Sequence, residues 1–205
     1  MQVAVEDITA MFGGRVVLKV GHATFQSGAI SGIIGPSGSG KSTLLSIIAG
    51  FLQPATGKVE YRDGGRLGPP TMSDISWVPQ GAYLLPDRTV LDNVALGALS
   101  VGLELAVAKF TALRALEKVG LEDRGRDLAS NLSGGEAQRV ALARAICAPR
   151  PIILADEPTA SLDRKSAGTV ANILRNMPSD RLVIVATHDP LLIERCDQIL
   201  DLGVS

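Results

Sequence analysis

The segment SGIIGPSGSGKSTLLSIIAG, residues 31–50, passes from small and apolar residues through glycine, proline and serine to a single lysine before apolar spacing resumes. Gly35, four residues, then Gly40-Lys41-Ser42 fits G-x-x-x-x-G-K-[ST], a pattern that requires a strand before the loop and a helix after it. Few architectures accommodate such a turn. Its glycines let backbone N–H groups point inward, and the start of the following helix adds partial positive charge, so the loop is built to wrap phosphates. Gly35, Pro36, Ser37, Gly38, Ser39, Gly40, Lys41, Ser42 and Thr43 are therefore the expected nucleotide-binding residues. Lys41 brings a charge for the β- and γ-phosphates, Ser42 a hydroxyl for Mg²⁺, and Thr43 a contact for the α-phosphate.

Strand and helix patterns alternate along the rest of the chain. Short β-type runs lie at QVAVEDI, HATF, ISGII, KVEYR, ISWVP, PIILA, LVIVAT and QILDL, mostly apolar and bounded by Gly, Pro or Asp. Helical spacing lies between several of them, at 41–50, 136–147, 164–176 and 190–196. Strands as continuously apolar as LVIVAT predict a mostly parallel sheet covered on both faces, so the fold class is α/β. From 89 to 131 the chain offers helical spacing and no convincing strand. This predicts a helical subdomain inserted into a single domain whose core comes from 1–88 and 132–205. The early strands, with RDGGRLGPP at 62–70 as a turn-rich loop, predict a small antiparallel flank.

The 205 residues suit one domain with a substantial core. With 20 Lys and Arg against 21 Asp and Glu, the formal charge of -1 creates no global attraction to nucleic acid, and no nucleic-acid partner is expected. The N-terminus lacks the basic and apolar sequence of a secretory signal, and no run of about 18 apolar residues predicts a membrane span. A hydrophobic share of 46% has two readings, a well-filled core or apolar surface that meets a partner. Cys147 and Cys196 stand outside any C-x-x-C spacing and read as buried, reduced thiols of a cytosolic protein.

Two further stretches carry chemistry. In PIILADEPTASLD an apolar strand ends in Asp156-Glu157, placing two carboxylates at the C-terminal edge of the sheet, where α/β sites lie. One can hold the Mg²⁺ shell while its neighbour polarises an attacking water; the bland alternative is a helix-capping turn. In NLSGGEAQRVALARAI, Ser133 and Glu136 form an S-x-x-E capping box, and Gly134-Gly135 leave backbone amides bare at a positive helix end. That end suits a terminal phosphate, although the loop at 35–43 already supplies one such site.

Taken in order, GPSGSGKST, LSGGEAQRVALARA, LADEPTASLD and ATHD resemble the nucleotide-binding domain of ATP-binding cassette (ABC) proteins over nearly the whole chain. The resemblance implies that two such domains pair head to tail, with the LSGGE helix of one closing over the nucleotide held by the phosphate loop of the other. It implies ATP and Mg²⁺ as ligands, Ser133, Gly134, Gly135 and Glu136 as contacts to the partner's nucleotide, Glu157 as catalytic base, and Asp156 as the Mg²⁺-site acid. His188 in ATHD corresponds to the switch histidine near the γ-phosphate; read alone, it is a histidine at a strand end. Gln80 in WVPQGAYLLP corresponds to a glutamine that touches the Mg²⁺ and water site and links it to the helical subdomain; read alone, it is a solvated loop residue. Ser161 and Asp163 fall where relatives contact the second subunit. The family usually has tyrosine where Phe12 stands, and Phe12 can either stack on adenine or close a strand end. The ending at DLGVS predicts no appended regulatory domain.

A nucleotide that joins two subunits and releases them on hydrolysis is a cyclic switch that needs a load. In transporters of the family the load is a membrane subunit, docked in a groove that Tyr83, Leu84 and Leu85 either line or underlie as core. The expectation is thus an ATPase subunit on the cytoplasmic face of a membrane, with a second cassette, as a homodimer, and a separate transmembrane permease. Within the family, PQGAYLLPDRTVLDNV, LADEPTASLD and VIVATHD most resemble the branch serving lipoprotein release, macrolide export and cell division. The rival readings are a soluble cassette ATPase acting on ribosomes or DNA, whose usual second cassette or long coiled coil is absent here, and a small-molecule kinase, which leaves LSGGE, Gln80 and the Asp156-Glu157 pair unexplained.

Overall fold

A computed structural model describes residues 1–203; Val204 and Ser205, the last residues of the DLGVS ending, lie outside the described residues. Five strands form a parallel sheet in the order β6-β7-β8-β3-β9, from β3 (Ile30–Ile34), β6 (Ile75–Val78), β7 (Ile152–Asp156), β8 (Leu182–Ala186) and β9 (Gln198–Asp201). Their side chains alternate between two cores, as the period of two demands. Ile152 and Leu154 of β7, with Leu182 and Ile184 of β8, meet Leu44, Leu45 and Ile48 of helix α1 (Lys41–Ile48). The intervening Ile153, Ala155, Val183 and Val185 pack instead against Leu142 of α4 (Gly134–Cys147) and Val170 and Leu174 of α5 (Arg164–Arg175). Both faces of β7 and β8 are covered, so neither strand carries a polar side chain before Asp156 at the end of β7.

The antiparallel flank is larger than the sequence suggests. Its order is β2-β1-β4-β5, from β1 (Gln2–Phe12), β2 (Arg15–Gln26), β4 (Thr56–Asp63) and β5 (Arg66–Gly68). HATF is thus only the end of a twelve-residue strand, β2. Its first half, RVVLKVG, turns Leu18 and Val20 inward and leaves Val16 and Val17 exposed. The expected loop at 62–70 contains β5, which pairs with β4 across Gly64-Gly65 and is anchored where Arg66 meets Asp74 at 2.7 and 2.9 Å. Charge pairing, rather than an apolar run, defines that edge. The helix expected at 190–196 is shorter, α6 (Pro190–Ile193), and α4 begins two residues earlier than expected, at Gly134.

Residues 89–131 hold α2 (Val90–Leu99), α3 (Leu105–Lys118) and two short 3-10 turns at Glu122–Arg124 and Ala129–Asn131. Val90, Val94, Ala98, Ala112 and Leu116 form a core of their own with Val140, Ala143 and Ile146 of α4. The two ends of this segment are laced together, Val90 N–H donating to Asp127 O at 2.9 Å and Ala129 N–H to Arg88 O at 3.0 Å. At its entry sits Asn93, fully buried, which accepts from Leu85 N–H at 2.7 Å and donates to the carbonyls of Leu85 and Thr89 at 3.0 Å each. One amide thereby satisfies the backbone of the loop that leads from β6 to α2.

Cys147 is buried and Cys196 half-buried, both free. Burial pushes the Cys196 thiol up to about 11, so it stays protonated and unreactive at neutral pH. Among the described residues no helix is long and apolar enough to cross a membrane.

Replacing Asn93 by alanine strands the Leu85 N–H and C=O in an apolar setting and should cost about 2 kcal/mol of stability. Urea denaturation measures it; an unchanged midpoint would show that the loop does not depend on this amide.

Candidate functional site

The loops of one sheet edge carry the expected site residues because β3, β6, β7 and β8 are parallel and end together. After β3 comes the phosphate loop, after β6 Gln80, after β7 Asp156-Glu157, and after β8 His188. Phe12, Val17, Ser37, Gly38, Gly40, Lys41, Ser42, Thr43, Gln80, Glu157 and His188 line one cavity of about 360 Å³. Val17 was not singled out from the sequence, because nothing in VVLKV marks which valine faces a cavity.

The phosphate loop is shaped by its glycines. A Cβ on Gly35 would lie 2.6 Å from Ser39 Oγ, and one on Gly40, at φ 95, would meet Leu18 Cδ1 at 2.9 Å. Gly40 then opens α1 with no side-chain cap, so the first N–H groups of that helix are free to bind an anion. Ser39 Oγ is buried with no hydrogen-bond partner, and Pro36, Ser37 and Gly38 are exposed along the rim. An orphaned hydroxyl beside an uncapped helix start fits a phosphate chain.

Lys41 is buried, and its ammonium group donates to Gly35 O at 2.9 Å and Pro36 O at 3.2 Å, with Glu157 Oε1 3.4 Å away. All three of its donors are engaged. Glu157 follows the last residue of β7 with φ 46, a left-handed conformation that costs a non-glycine residue about 1–3 kcal/mol. Its N–H donates to Ala186 O at 2.8 Å, which ties the turn to the end of β8. Its Oε1 lies 2.8 Å from His188 Nδ1. A carboxylate can only accept, so Nδ1 carries the hydrogen and Nε2 of the exposed ring faces outward for another group.

Ser42 Oγ donates to Asp156 Oδ1 at 2.9 Å. Burial, reinforced by the neighbouring Glu157, holds the Asp156 carboxyl above the usual carboxylate range, while Ser42 and Lys41 pull it back down. A carboxyl group beside a hydroxyl suits Mg²⁺, which binds through one or two protein oxygens together with substrate phosphates, and the ion's charge would favour the ionised carboxylate. Gln80 is exposed at the cavity edge, and Phe12, 53% exposed at the end of β1, stands at its rim.

Ser133, Gly134, Gly135 and Glu136 do not line this cavity. Ser133 caps α4 in a complete capping box, with Glu136 returning to Ser133 N–H at 2.9 Å. Arg124 grips the outer oxygen of Glu136 at 2.5 Å, and Ser133 and Gly134 remain exposed. Gly135 abuts α5, where a Cβ would fall 2.5 Å from Ser166 Oγ. Asp163 caps α5, accepting from Lys165 and Ser166, and Ser161 before it is exposed at φ 65. Tyr83 and Leu85 are exposed, whereas Leu84 packs against the core of α2, α3 and α4. The trio therefore divides between surface and core.

Residues 18–160 match the ABC transporter family. The chain belongs to that family. It is 38% identical to the tungstate uptake system ATP-binding protein TupC of Peptoclostridium acidaminophilum, covering 98% of this chain and 94% of TupC. It is 41% identical to the lipoprotein-releasing system ATP-binding protein LolD of Blochmanniella floridana, covering 83% of this chain and 76% of LolD. A dimeric bacterial ABC transporter cassette superposes with a TM-score of 0.82 at 31% identity, over 98% of this chain and 94% of that one. The same cassette in a dimeric post-hydrolysis state bound to ADP and Pi matches with the same score, identity and coverage. The chain is thus an ATP-binding, ATP-hydrolysing subunit of an ABC transporter, and these relatives favour that reading over a soluble switch. The resemblance to the lipoprotein-release branch is matched by LolD, alongside an uptake ATPase.

Asp156 is more easily protonated in the fold than in the unfolded chain, so its ionisation subtracts stability as pH rises from the ordinary carboxylate range to its raised one. Asp156→Asn should therefore raise the melting temperature at pH 7 in protein free of nucleotide, and the difference should shrink in acid. A variant that melts lower than the parent at pH 7 would contradict this.

Proposed function

We propose that two copies of this chain form the motor of a transporter on the cytoplasmic face of a membrane, each nucleotide lying between the phosphate loop of one copy and Ser133–Glu136 of the other. The observation that carries the reading is the separation of these groups: Ser133 and Gly134 present an exposed, positively polarised helix start outside their own chain's cavity. A second copy brings that helix start to the terminal phosphate. Ser161, which lines a cavity together with Glu157 and His188, and Asp163 at the start of α5 are the expected contacts to that copy.

Within each site Lys41 exchanges Glu157 for phosphate oxygens, which frees the carboxylate to accept a proton from water. His188 keeps Glu157 oriented by donating from Nδ1, and with a second hydrogen on Nε2, as the imidazolium, it would also donate to the γ-phosphate. Ser42 and Asp156 would hold Mg²⁺, with Gln80 beside them, and the ion would supply positive charge to offset that of the phosphates. Thr43 lies one residue further into α1 for the α-phosphate, and Phe12 stacks on the base. Residues 89–131 act as an inserted subdomain on a core of 1–88 and 132–205, a division supported by their separate core and laced base. Exposed Tyr83 and Leu85 at the foot of that subdomain offer apolar surface to a separate transmembrane permease, which supplies the path for the substrate.

Glu157→Gln should bind ATP, hydrolyse it at least about a hundredfold more slowly and accumulate as a dimer, whereas Lys41→Ala should lose nucleotide affinity. Normal turnover by the first, or unchanged affinity in the second, would overturn the assignments. Tagged Glu157→Gln protein, recovered from detergent-solubilised native membranes with ATP, should bring down a stoichiometric multi-span protein. Recovery with ribosomes or DNA-bound proteins instead would move the chain to the soluble class.

A further inference from the structure

Among the described residues Gln80 makes no hydrogen bond, and it stands exposed, yet it lines the cavity beside Lys41 and Glu157. Something else must hold its loop. Downstream, Asn93 holds Leu85. Nearer to Gln80, Arg144 of α4 reaches across and donates from one guanidinium nitrogen to Tyr83 O and from the other to Ala82 O, both at 3.2 Å. No Asp or Glu pairs with this half-buried cation among the described residues, and its hydrogen bonds go to these two carbonyls. Tyr83 is held with φ 41, a conformation a tyrosine does not take without being constrained. Its ring folds back on Gly81, where a Cβ would sit 3.0 Å from the ring edge. Guanidinium, carbonyls, ring and Gly81 thus form one run of direct contacts ending at the residue next to Gln80.

We propose that Arg144 is a positioning residue for Gln80, tying the loop that carries this glutamine to helix α4. The inference rests on the reading of Gln80 as part of the hydrolytic site. Its consequence is that α4, whose first turn is Ser133–Glu136, cannot move without carrying Ala82 and Tyr83. A planar fork is needed to hold two neighbouring carbonyls at once, and a lysine offers only a point charge.

The test is a double-mutant cycle on steady-state ATP hydrolysis by the full chain, using Gln80→Ala, Arg144→Met, Arg144→Lys and the pairs with Gln80→Ala. Arg144→Met should lower kcat about tenfold, with KM for ATP within twofold and Arg144→Lys recovering little. In the presence of Gln80→Ala, either Arg144 substitution should have no further effect, because both act on one group. Equal fractional losses with and without Gln80 would mean that Arg144 only supports the fold, and would overturn the inference. If Gln80→Ala itself leaves kcat unchanged, the reading of Gln80 fails and the inference falls with it. If Gln80→Ala lowers kcat but Arg144→Met and Arg144→Lys do not, Arg144 alone is excluded. Should Arg144→Met fold poorly, Arg144→Lys provides the same comparison.

Discussion

Lys41 and Glu157, both buried, stand 3.4 Å apart at the base of an open cavity, and most of the architecture can be read as the means of holding them there. An ammonium and a carboxylate removed from water are costly unless each has several partners. Lys41 has the carbonyls of Gly35 and Pro36, and Glu157 has the His188 ring. Glu157 and these partners come from the ends of β7, β3 and β8, brought together because β8 lies between the other two in a parallel sheet. Shifting β7 by one residue would exchange Asp156 for Glu157 at the edge and turn Ile153 and Leu154 to the wrong cores. The apolar alternation of the strands therefore fixes the chemistry at their ends.

The same pocket is strained where it acts. Among the described residues four non-glycines have positive φ, and Tyr83, Glu157 and Ser161 lie in the loops beside Gln80, in the acid pair and ahead of α5. Each is over-determined by its surroundings: Tyr83 by Arg144, Glu157 by Ala186 and His188, and Ser161 by the turn that leads into the Asp163 cap. Such residues keep side chains in place before a ligand arrives, at a cost the rest of the fold must offset. Asp7, in the irregular pairing of β1 with β4, is the exception remote from these loops.

Much of this was legible in the residues. The Gly35-to-Ser42 spacing, the apolar run ending in Asp156-Glu157 and the Ser133–Glu136 box are local patterns whose physics operates over a few neighbours. What lay hidden depends on contacts distant in sequence. β5 owes its place to Arg66 and Asp74, the first half of β2 to its pairing with β1, and the role of Val17 to which face of that strand meets the phosphate loop. Arg144 is written into RVALARA as one more polar residue on an apolar helix, and only the fold shows it reaching Tyr83. The head-to-tail use of Ser133–Glu136 came from resemblance, since a capping box alone marks no more than a helix start.

If each nucleotide needs a helix start from another copy, hydrolysis is second order in the chain. The direct measurement is ATP turnover per chain as protein concentration is raised from nanomolar to tens of micromolar at fixed saturating MgATP. The account predicts turnover per chain that climbs with concentration and levels off as dimers fill. Turnover per chain that stays constant over the whole range, from a protein that sediments as a monomer throughout, would contradict it.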